Sequence, residues 1–230
     1  MEGISAMKRI DELIYKEESA WIKILEWIEQ AKNDVEVLPN SRVNGEKALL
    51  KLQITNKSTM GAIVLECGGI LVDNGWLRIL GSGSDNISGS ILSWNSIDGT
   101  EIDFPLRHAM IIAYDIIGGF YAINAREFGG STRNVFYFAP NTLEWEDIEM
   151  KYTDFIYWTL YGDLNLYYKT FRWANWKSDI KKLSGNQGIS IFPYLWTKEA
   201  EDIEKCSRRA VPMRELWGIQ NEFARQIKEN

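Results

Sequence analysis

The sequence predicts an α+β fold: a central antiparallel β-meander flanked by helices, with helical additions at both ends. Three observations lead there. Strand-type runs follow one another between residues 109 and 148, with connections too short for parallel crossovers. An Asn-Gly pair at 74–75 separates two short runs of Ile, Leu, Val and Trp, which is the signature of a hairpin. Apolar residues recur at helical spacing on either side of this region, in 19–32 and again in 153–183 and 212–227.

Each element has its own warrant. Met1–Ala6 precedes a second Met-Lys at Met7 and reads as a disordered leader. In "SAWIKILEWIEQAK", Trp21, Ile24, Leu25 and Ile28 share one helical face, and Ser19 is placed to cap it. A second helix is expected within "GEKALLKLQIT", with Ala48, Leu49 and Leu52 inward. "STMGAIVLECGG" is a buried helix or a buried strand, which periodicity does not separate. The hairpin is expected at 70–73 and 76–80, with Asn74 and Gly75 as a two-residue loop, because both positions of that turn need positive φ. "GSGSDNISGS" is a loop by composition.

"AMIIAY", "GGFYAIN", "NVFYFAP" and "LEWEDI" give four successive strands, and Gly118-Gly119 permits a tight reversal into the second. Three helices are expected next. Thr153 caps the first and Gly162 ends it, while Asp163 caps the second along a stripe of Leu164, Tyr167, Tyr168 and Phe171. The third carries Trp173, Trp176, Ile180 and Leu183 on one side. "GISIFPYLW" is one strand stopped at Pro193. Pro212 sits in the first turn of a last helix, with Met213, Leu216, Gln220, Phe223 and Ile227 as its stripe. No repeat or linker interrupts the chain. It reads as a single domain over 1–230, with 163–230 a helical C-terminal extension carrying one strand.

Composition narrows the function. A net charge of −6 is the wrong balance for a generic nucleic-acid binder. No run of 18 apolar residues predicts a membrane span, and the acid-rich N-terminus has no apolar signal region, so a cytoplasmic protein is expected. Cys67 and Cys206 make no disulfide framework and read as core thiols.

No motif announces chemistry. Phosphate binding needs glycines that open a helix. Gly118-Gly119 and Gly129-Gly130 each run into strand-type sequence instead, and "GSGS" at 81–84 lacks the Lys-Ser/Thr of a phosphate loop. His108 is the one histidine and no ligand spacing surrounds it, so neither metal nor cofactor is expected. Glu144, Glu146 and Asp147 are the candidate partner-binding carboxylates. On a strand Glu144 and Glu146 share a face, and charges on a terminal strand block edge-to-edge pairing. The same glutamates could serve a carboxylate-dependent hydrolase if they lay in a pocket. Trp173 and Trp176 are candidate contact residues, either for a protein or as the platform of a carbohydrate- or ligand-binding domain. Their helical spacing equally fits a core position. Lys205, Arg208, Arg209 and Arg214 follow an acidic run and read as a solvated face.

The string "GGFYAIN…NVFYFAPNTLEWEDI…YTDFIYWTLYGDL" resembles the SUKH superfamily over about 60–162, through Gly118-Gly119, Val135–Phe138, Trp145-Glu146, Phe155 and Trp158. The wording "GGILVDNGWLRILGSG", "DFIYWTLYGDL" and "FPYLWTKE" is similar to the bacterial domain-of-unknown-function family 2625 from about Met7 onward. The superfamily resemblance implies an antiparallel sheet flanked by helices. It also implies a non-enzymatic protein-binding module, commonly an immunity protein whose partner is a toxin. No catalytic residue comes across, because the matched positions are strand glycines and aromatics.

Overall fold

The computed structural model describes residues 7–229, and Met1–Ala6 lie outside the described residues. Helix α1 (Trp21–Glu29), strand β1 (Val35–Leu38) and helices α2 (Arg42–Leu52) and α3 (Thr59–Glu66) lead into the pair β2 (Gly69–Val72) and β3 (Leu77–Leu80). Strands β4 (Ala109–Asp115), β5 (Phe120–Asn124), β6 (Asn134–Ala139) and β7 (Glu144–Lys151) follow. Then come α4 (Tyr152–Tyr161), α5 (Leu164–Tyr167), α6 (Trp176–Ile180), a second pair β8 (Gln187–Phe192) and β9 (Ser207–Pro212), and the long helix α7 (Met213–Glu229).

Strands β1 to β7 form one antiparallel sheet in strict chain order, and β8 and β9 form a separate two-stranded one. The fold is therefore a mixed helix-and-sheet architecture around a seven-stranded meander. Residues directly opposite each other across an antiparallel pair lie on one face. The register thus builds a row across all seven strands: Glu36, Leu71, Arg78, Tyr114, Phe120, Phe138 and Trp145. Trp217 of α7 packs on the aromatic half of this row, with its ring 4.6 Å from Phe120. The charged half is covered by the lead-in to β8, where the buried Arg78 donates to the carbonyls of Gly185 at 2.7 Å and Gln187 at 3.1 Å. The opposite face carries Val37, Ile70, Ile79, Ala113, Tyr121, Tyr137 and Glu146, and Phe155 of α4 lies against Tyr121.

Several local expectations are corrected. The sheet begins at β1, which the sequence did not suggest, so it extends beyond the 60–162 stretch. The C-terminal extension holds two strands rather than one, because β9 pairs with β8. Pro212 closes β9 and the last helix starts at Met213. The third expected helix shrinks to α6, and Trp173 precedes it. Lys151, not Thr153, occupies the N-cap of α4, because β7 runs directly into the helix. Ala20 is the N-cap of α1, although Ser19 Oγ still accepts the Trp21 amide at 3.2 Å. Within that stripe Leu25 is exposed.

Other ambiguities resolve. "STMGAIVLE" is helical, and Ser58 Oγ caps it by accepting the Gly61 amide at 3.0 Å. The β2–β3 loop has four residues, 73–76, rather than two, since β2 ends at Val72 and β3 starts at Leu77. Asp73, Asn74 and Gly75 take φ of 52°, 57° and 80°, and the Trp76 amide donates to Asp73 C=O at 3.1 Å. Gly118, with φ of 91°, lies in the β4–β5 reversal, where its amide donates to Asp115 C=O at 3.2 Å. Gly119 follows, and a Cβ there would overlap the Asp115 carboxylate and the Tyr137 hydroxyl.

Candidate functional site

Strand β7 is the terminal strand of the large sheet and pairs on one side only. Glu144 and Glu146 are exposed and point to the face that carries Tyr137. Asp147 points to the other face and is held there, accepting from Asn134 Nδ2 at 3.1 Å and from the Glu149 amide at 2.8 Å. The second contact belongs to a bulge between Asp147 and Met150, where Glu149 takes φ of 58°. The three carboxylates therefore divide into an outward pair and a structural one. A bulge and outward charges are two recognised ways of protecting a sheet edge.

Trp173 and Trp176 are 3% and 8% exposed, so neither offers a surface platform. They surround Trp76, with ring centroids 5.9 and 5.3 Å from it. Into the same cluster Arg172 inserts its guanidinium, 4.2 Å from the Trp176 ring and 4.8 Å from Trp76. It pairs there with Asp73 from the β2–β3 turn, and the two side chains are only 7% and 10% exposed. This buried pair pins the helical segment after α5 to the end of the sheet.

A second buried polar group went unread in the sequence. Asp115, fully buried, accepts from the Tyr137 hydroxyl at 2.7 Å, the Gly119 amide at 2.8 Å and the Ile117 amide at 3.1 Å. Burial raises its pKa to about 6, against the lowering effect of these three donors. Beside it the Tyr121 and Tyr168 hydroxyls share a 2.6 Å hydrogen bond. No solvent reaches Asp115, so the group closes the β4–β5 turn and does not face a substrate. Cys67 and Cys206 are buried free thiols, and burial raises the Cys67 pKa to about 12, which keeps the thiol unreactive. Among the described residues no cluster of His, Cys, Asp and Glu could hold a metal ion.

Two clefts lie around the segment 81–105. One cleft of about 590 Å³ is lined by Asn40, Asn44, Ser82, Ser84, Asp85 and Ser93. Another of about 480 Å³ is lined by Ser96, Glu101, Ile102, Asp103, Arg214 and Trp217. Ser93 stands between them, since its carbonyl accepts from Arg214 Nη2 at 3.3 Å. Arg214 is therefore not part of a solvated face. It is partly buried, with its guanidinium 4.7 Å from the Trp94 ring. Burial lowers its pKa, opposed by Asp98 and Asp103, and an arginine so placed stays charged.

These features define a protein with a seven-stranded antiparallel meander, a protected acidic edge and polar clefts around the segment 81–105. The chain belongs to the family described as Protein of unknown function DUF2625, which it matches over residues 10–216. It is similar to the uncharacterized protein YbfG of Escherichia coli (strain K12), at 39% identity over 214 residues, covering 93% of this chain and 96% of that one. It is also 35% identical over 189 residues to an uncharacterized protein of Haemophilus influenzae (strain ATCC 51907 / DSM 11121 / KW20 / Rd), covering 82% of this chain and 83% of that one. No solved structure matches the chain. Among the described residues no helix is long and apolar enough to cross a membrane.

Proposed function

We propose that this chain is a non-enzymatic protein-binding module of SUKH type acting in the cytoplasm, and that the free edge of β7 meets a basic partner protein. The observation that carries the reading is Glu144 and Glu146, exposed together on the unpaired terminal strand of the large sheet. Surface carboxylates of this kind steer encounter and act mainly on association rate. An immunity-type role, in which the partner is a toxin, is the specific form that the superfamily resemblance favours. Burial removes Trp173 and Trp176 from the contact surface. The carboxylate-hydrolase alternative loses ground because the two clefts around 81–105 are lined by other residues.

The test is affinity capture from the native cytosol with the wild-type chain, Glu144→Gln, Glu146→Gln and the double variant, beside a broad hydrolase panel. A basic partner retained by the wild type, held less well by each variant and released by raised salt, is the expected result. A hydrolytic turnover abolished by either single change, with the fold intact, overturns it.

A further inference from the structure

We infer that the cleft of about 480 Å³ beneath α7 is a binding site for a zwitterionic amino compound with an apolar side chain, such as a free amino acid or a dipeptide. The site shares no residue with the β7 edge and does not depend on the protein-binding reading.

The argument begins with Arg214. A guanidinium offers five N–H donors in a planar fork. Here one planar face is occupied by Trp94, which leaves the edges of the fork to do the binding. Those edges are poorly used. Nη2 reaches Ser93 C=O at 3.3 Å and Nη1 reaches Glu101 C=O at 3.4 Å, both longer than the usual N–H···O separation. Among the described residues no carboxylate lies within ion-pair distance of it. A partly buried arginine with spare donors, lining a cleft of small-molecule size, is suited to a ligand carboxylate.

The other walls set the remaining chemistry. Glu101 and Asp103 line the same cleft, are exposed, and their carboxylates make no hydrogen bond to described residues. With Arg214 they give the lining a net charge of −1, which disfavours phosphate or any other simple anion. The charge pattern is met by a ligand carrying one carboxylate for Arg214 and one ammonium for Glu101 and Asp103. Ile102, Pro105 and Trp217 supply an apolar wall between these poles, where an aliphatic side chain would be covered. Trp217 also fixes the acidic side of the cleft, because its Nε1 donates to Asp103 C=O at 2.6 Å.

The probes are L-leucine and L-leucyl-L-leucine, followed by calorimetry and by melting temperature. Both should stabilise the full chain saturably at concentrations up to about 10 mM. Two analogues each lack one charge: N-acetyl-L-leucine has no ammonium, and isopentylamine has no carboxylate. Each should bind at least about tenfold more weakly than leucine. Glu101→Gln/Asp103→Asn changes only exposed side chains, and should erase the preference for leucine over N-acetyl-leucine. Arg214→Gln removes the cation while keeping a polar side chain, and should erase the preference for leucine over the amine. The inference is overturned if neither leucine nor the dipeptide stabilises the wild type. It is equally overturned if inorganic phosphate or N-acetyl-leucine binds as well as leucine, or if both variants keep the wild-type preferences.

Discussion

At the scale of single residues, Asp115 shows how burial and hydrogen bonding compete. Three donors favour the carboxylate form, yet the absence of solvent outweighs them and the pKa rises to about 6. In an unfolded chain an Asp titrates near about 3.9. The folded state thus holds the proton more tightly, so Asp115 favours folding most below about pH 4 and loses that contribution as pH rises to about 6. The corresponding ceiling is roughly 3 kcal/mol. Asp115→Asn keeps an acceptor for the two amides, and the Tyr137 hydroxyl can turn to accept from the new NH₂. Relative to wild type, the variant should therefore gain stability between pH 4 and 7, measured by urea unfolding at each pH. A difference that stays flat across that window contradicts the assignment. Asp115 was silent in the sequence because nothing in "DIIGG" forecasts that Tyr137 and Gly119 will close over it. Arg214 was misread for a related reason. Its charge is visible in the sequence, but its contact with Trp94 exists only after α7 docks.

At the scale of elements, the strands that could be read are those whose burial is nearly continuous. In β4, β5 and β6 most residues are buried, and their aromatic and branched runs stand out. Strand β1 is "VEVL", four residues with one fully buried, which is too short for periodicity to separate from a loop. Strand β9 is "SRRAVP", where only Val211 is buried, so its composition resembles a charged turn leading into a helix. Spacing recognised part of the inward face of α7: Met213, Leu216 and Gln220 are buried, but Ile227 is exposed, and the fully buried Trp217 falls outside the expected stripe. Trp217 contacts Phe120, Phe138 and Trp145 of three successive strands, and Trp94 besides. Trp217→Ala should cost about 3–5 kcal/mol, as deletion of a large core aromatic generally does. Chemical denaturation should show a lower midpoint at unchanged slope. A loss below about 1 kcal/mol would mean that α7 is not the cover of this face.

At the scale of the whole molecule, the described chain is one meander with a helical layer on one face and the β8–β9–α7 unit on the other. The stretch 60–162, singled out by the superfamily resemblance, holds six of the seven strands but lacks β1 and the whole of α7. Expressed alone, it should fail to give a dispersed proton NMR spectrum, because Phe120, Phe138 and Trp145 lose Trp217. A dispersed spectrum with cooperative unfolding would show that the sheet stands without its cover. Chain order adds a kinetic consequence. Each strand pairs with its neighbour in sequence, so the meander can assemble as the polypeptide leaves the ribosome, the N-terminal part first. The helix that shields the aromatic row is synthesised after every strand it protects. Throughout that interval the nascent chain carries an uncovered aromatic surface, the kind of exposed apolar surface that is prone to aggregate until translation has passed Trp217.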